Sequence, residues 1–136
     1  MKLHLDAGSR TQVNDLMRDL RKVDPDLANG VRRELRRVAK IVADDARRRA
    51  PRRSGALQRS IRPSVSSTGD AAVVASAPYA RITELGGRHP LFGNRERWYP
   101  QARRPFLIPA RDAHQGEFIK AADAALNEAA KKAGFR

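Results

Sequence analysis

Three histidines, fifteen carboxylates and an excess of arginine are the side chains of this chain that could do chemistry. His4, His89 and His114 could ligate a metal or shuttle protons, yet they stand far apart and at no ligand spacing. Most of the acids sit beside basic residues or at helix starts. The chain has no cysteine, which removes disulfides, thiolate metal sites and a thiol nucleophile. Gly86-Gly87 is too short a glycine pair to cradle a phosphate. These residues give no catalytic, metal or cofactor site, so an enzyme is not expected. What remains is electropositive. Residues 31–62 hold twelve basic and three acidic residues, a net +9 of the chain's +13; residues 1–30 are neutral, 63–104 carry +3 and 105–136 carry +1. A second basic cluster interleaves with aromatics over residues 88–104, where Arg95, Arg97, Arg103 and Arg104 flank Trp98 and Tyr99.

The first cluster needs a rigid carrier, and the sequence supplies one. Asp24 can accept the free N–H groups of a first turn, and Pro25 suits the first helical position. Leu27, Val31, Leu35, Val38 and Val42 then recur at helical spacing, with Ile41 and Ala46 widening the stripe. On the opposite side lie Arg32, Arg33, Arg36, Arg37, Lys40 and Arg47. Some 25 residues of helix would be about 37 Å long. Asp45 and Arg49 fall in line with the apolar stripe at i,i+4, where they can pair. The helix end is expected either to overhang the core into water or to meet another subunit. Pro51 stops it, and Ser54 with Gly55 turns the chain.

Around this helix the spacing predicts a short strand at residues 2–6 and an amphipathic helix on Val13, Leu16, Met17, Leu20 and Val23, capped by Ser9 or Thr11. Leu57–Val65 reads as a strand with Pro63 at an edge. A turn at 67–70 and a strand at 71–77 make a hairpin of about 57–77. One or two helical turns follow Tyr79. Residues 88–104 read as a long Arg-rich irregular loop serving an interface, with Trp98 either a stacking or anchoring residue or folded back over a small core. Pro105–Ile108 reads as a short strand, and Pro109 as the start of a final alanine-rich helix that Gly116 weakens and Gly134 ends. We therefore expect a single α+β domain over residues 1–136: a long basic helix and a C-terminal helix packed on a small antiparallel sheet. No signal peptide is visible and no apolar run approaches a membrane span, so a soluble product of the cytoplasm is expected. A pI near 11.4 favours anionic partners.

Three blocks, taken together, resemble a known family. The first is Ala50-Pro51, then Ser54-Gly55-x-Leu57 and Ser60-Ile61. The second is Pro78-Tyr79-Ala80 with Glu84-Leu85-Gly86, and the third is Pro105-Phe106-Leu107 with Pro109-Ala110. In this order and spacing, over roughly residues 12–132, they are similar to the head–tail joining and tail-completion family of long-tailed double-stranded DNA bacteriophages. Ser54 stands where that family usually has Thr, and Leu85 where it has an aromatic. The resemblance implies a structural virion protein that forms a homo-oligomeric ring of six or twelve copies in the neck. It would join neighbouring connector and tail-tube proteins around the DNA path, touch packaged DNA nonspecifically, and need no membrane or cofactor. A competing expectation is a freestanding nonspecific DNA-binding protein using the basic helix 31–53.

Overall fold

The computed structural model describes residues 1–5, 10–52, 55–91 and 94–135, with side chains for all of these except 10, 11, 89–91, 94, 95 and 99. Asp24 starts the longest element but one, accepting from the backbone N–H groups of Asp26 at 3.1 Å and Leu27 at 3.3 Å. This helix, α2, runs Pro25–Arg49. Ala50 ends it in extended geometry, as a residue before proline must. Before it come β1 (Lys2–Leu5) and α1 (Arg10–Val23), and after it α3 (Ala56–Ser60), β2 (Ile61–Val65), β3 (Ala71–Ala75) and α4 (Ala80–Leu85). The chain continues through β4 (Gly87–Leu91), β5 (Asn94–Gln101) and α5 (Leu107–Lys132).

The architecture is α+β. β1, β3 and β2 form an antiparallel sheet in that order, with Leu3, Val73 and Pro63 in register across it. Pro63 is tolerated because β2 is an edge. One face of the sheet receives α2, and α5 lies antiparallel to α2, reaching β1 as well; α1 covers both helices. Phe106, Phe118, Met17, Leu20, Leu35, Ile61 and Leu107 are fully buried between these layers. The β2–β3 turn is drawn in under α1: a Cβ on Gly69, at φ +86°, would sit 3.0 Å from Met17 Cγ.

Several expectations differ from this. The segment read as the first half of a strand, residues 57–60, is one turn of helix, because Gly55 enters in the left-handed region and Ala-Leu-Gln-Arg are good helix formers. The hairpin is thus 61–75 rather than 57–77. Residues 88–104 are not an irregular loop but mostly a two-stranded ribbon, β4–β5. Pro105–Ile108 forms no strand; α5 begins at Leu107, two residues before Pro109, which sits in its first turn. Gly116 does not divide α5, since helix–helix packing on either side outweighs its propensity cost of about 1 kcal/mol. Gly134, at φ +82°, does end it: Phe135 N–H reaches Ala130 O at 2.8 Å and Gly134 N–H reaches Lys131 O at 3.1 Å. Thr11 lies inside α1 rather than at its cap, while Ser9 and Ser54 fall outside the described residues.

Candidate interaction surfaces

The basic face of α2 divides into two functions. Arg32 Nε donates to Val65 O at 3.0 Å, and Arg47 donates to Ile61 O and, at 2.6 Å, to Asp44. These two arginines grip the first and last residues of β2 and close that edge of the sheet. Arg37 forms a fork on Glu34, its Nη2 2.7 Å from Oε1. Such i,i+3 pairs are what compensates the row of like charges along the helix. Arg33, Arg36 and Lys40 are exposed and, among the described residues, make no ion pair. Two of the six face residues are therefore tied to β2, and a third is held in a surface pair on its own helix.

The C-terminal end of α2 does not overhang the core. Asp45 is 8% exposed and receives His114 Nε2 of α5 at 3.0 Å and Arg49 Nε at 3.2 Å, with Arg48 at 3.5 Å. His114 Nδ1 lies 3.3 Å from Glu117. Burial opposes the charged form of Asp45. The hydrogen bond and charge of Arg49, with His114 beside it, outweigh that and hold the carboxyl below its ordinary 3.8. A carboxyl depressed in the folded state adds stability above its unfolded pKa and loses it as pH falls through the folded one. Asp45→Asn is accordingly expected to lower the thermal midpoint at pH 7 and to flatten its decline below about pH 4. Melts of both proteins from pH 2 to 7 check this; parallel curves would remove Asp45 from the α2–α5 contact.

The short helix α4 is the root of the ribbon. Glu84 is 0% exposed, and its carboxylate accepts three backbone N–H groups at the start of α5: Phe106 at 2.7 Å and Leu107 at 2.9 Å on Oε2, and Ile108 at 2.9 Å on Oε1. The sequence at the head of α5, Arg-Pro-Phe-Leu-Ile-Pro, has no Ser, Thr, Asp or Asn to cap it. Glu84 does so from 22 residues upstream. Thr83 O accepts from Arg104 N–H at 2.7 Å. Gly86, at φ +72° and ψ −177°, lets the returning chain pass: a Cβ there would meet Arg103 N at 3.0 Å and Gln101 O at 3.1 Å. The family-like blocks thus meet in space, for Glu84 of one accepts from Phe106 and Leu107 of another. Pro105 leads into that contact and Pro109 follows it in the first turn of α5. Of the rest, Ala50 and Leu57 are buried, Pro51 half-buried, Gly55 at the α3 entry, and Tyr79 exposed.

The ribbon itself pairs Gly87 with Gln101, Arg88 with Pro100, His89 with Tyr99 and Pro90 with Trp98. It packs chiefly against itself. Trp98 is 48% exposed, so it does not fold back over a core. Arg88, Arg97, Arg103 and Arg104 are exposed, while Arg95 and Tyr99 are placed on β5 by backbone alone. Among the described residues no group of His, Asp and Glu is placed to hold a metal ion, and no helix is long and apolar enough to cross a membrane.

Comparison with known proteins adds one match. A family model described as "Bacteriophage HK97-gp10, putative tail-component" matches residues 14–86, just over half of the chain, from α1 to the glycine at the ribbon's root. No curated protein and no solved structure matches.

Proposed function

The chain belongs to the HK97-gp10-like family of bacteriophage tail components, a family of structural rather than catalytic proteins, and from that premise we propose a ring-forming subunit of the phage neck. In this reading several copies encircle the DNA path between head and tail, and contact neighbouring virion proteins. The observation that carries it is the strip Arg33, Arg36 and Lys40, exposed and without an ion pair among the described residues along a stiff 25-residue helix. A ring of subunits each carrying +13 repels itself, and a polyanion threaded through it offsets that repulsion. The strip is the surface best suited to face that polyanion.

The competing reading, a freestanding DNA-binding protein, draws less support. With Arg32 and Arg47 bonded to β2 and Arg37 paired with Glu34 on the helix surface, the three cations of α2 left without an ion pair among the described residues would give a salt slope of only about −3 on a log–log plot. Light-scattering mass measurement at low and high salt, with and without a 30-bp duplex, separates the two. Assembly is expected to grow when salt screens the charge or when duplex is added. A monomer under all four conditions that binds duplex with a much steeper slope would favour the freestanding protein.

A further inference from the structure

The ribbon β4–β5 carries chemistry that the rest of the fold does not use. We propose that it is a docking arm for a different protein: its side chains seat in an acidic surface with an apolar centre, and no strand is added to its edges. This rests on the reading of the chain as a virion component.

Its edges are closed by proline. A proline cannot donate to a ladder, so Arg88–Pro100 and Pro90–Trp98 are the pairs whose backbone groups point outward, alternating with hydrogen-bonded pairs. Each outer edge therefore lacks a donor, one at Pro90 and one at Pro100. Strand addition, the usual way for an exposed ribbon to bind a protein main chain, is blocked on both sides. Recognition falls to the faces.

Those faces have the composition of interface centres. The two strands hold Arg88, Arg95, Arg97, Trp98 and Tyr99 against one Glu and no Lys, Asp or Ser. Arg and the aromatics are the residues that concentrate binding energy, whereas Lys, Glu, Asp, Ser and Ala are depleted there. Trp98 is half exposed, and Arg88 lies diagonally across the ladder from it. Arg88, Arg97 and Trp98 are all exposed.

Charge selects the partner. Residues 88–104 have five positive residues and one negative, and a second copy carries +13 overall, so it is a poor complement. A duplex backbone would match the arginines but leave Trp98 and Pro100 facing phosphate and water, because paired bases give an aromatic ring nothing to stack on. An acidic protein surface matches both.

The test places p-benzoylphenylalanine at position 98 (Trp98→p-benzoylphenylalanine) in phage particles, irradiates them, and identifies the adduct by mass spectrometry. The expected product joins this chain to an acidic virion protein other than itself. Adding Arg88→Glu and Arg97→Glu should cut the yield about tenfold, while the purified variant melts as the parent does. Adducts to a second copy or to DNA, or no adduct in particles that contain the variant, would overturn the docking arm. If the parent chain itself is missing from particles, the virion reading fails first and the arm with it.

Discussion

Glu84→Ala is expected to lower the unfolding free energy by about 4 kcal/mol, because it strands two buried N–H donors and a part-buried third at roughly 1–3 kcal/mol each, less what relaxation recovers. It also removes a negative charge from the N-terminal end of a 26-residue helix. Glu84→Gln keeps the volume and one acceptor but turns an amide N–H₂ toward donors, so about half of that loss is expected. Urea unfolding of the three proteins checks it through the midpoint at constant slope. A loss below about 1 kcal/mol for Glu84→Ala would mean that the N–H groups find other acceptors, and that the carboxylate is not what fixes α5.

The second large effect is at Gly86. Its φ and ψ lie in a region open almost only to glycine, which costs other residues about 1–3 kcal/mol. The new methyl would also press on backbone atoms of Arg103 and Gln101 that cannot swing away. Gly86→Ala is expected to cost about 2–4 kcal/mol. A useful control is Gly30→Ala on α2, where the nearest atom is an arginine tip at 3.7 Å; there alanine should stabilise by about 0.5–1 kcal/mol. Equal effects at the two glycines would show that the return of the ribbon places no constraint on Gly86.

These two residues also show how far the sequence could be read. The cap, apolar stripe and stop of α2 are local signals, and each falls where expected, at Asp24, at Val31 to Val42, and at Pro51. The edge position of β2 followed from Pro63 alone. The ribbon was not legible for a physical reason: packed chiefly against itself it needs no apolar alternation, and its two prolines read as loop. Glu84 stood in a recognised block, but its role depends on a contact 22 residues away. One signal pointed there, namely a final helix whose start contains no capping side chain. The pairing of Asp45 with His114, 69 residues apart, had none. The part of the basic face bonded to the sheet was hidden for the same reason, since Arg32 and Arg47 find their partners only once β2 is laid along α2.

The root of the ribbon has a kinetic consequence. α5 brings Phe106, Leu107 and Phe118 into the core, yet it is tethered to the rest only through the stretch that follows Gly86. As a slack tether this stretch would have to lose its chain entropy each time α5 docks. A hairpin closes in about 1–10 μs, and once closed it holds Gly86 beside Arg103. Glu84 then meets the amides of Phe106 to Ile108 as near neighbours, so the ribbon proposed as a docking arm is also the clasp that shortens the search for the last helix.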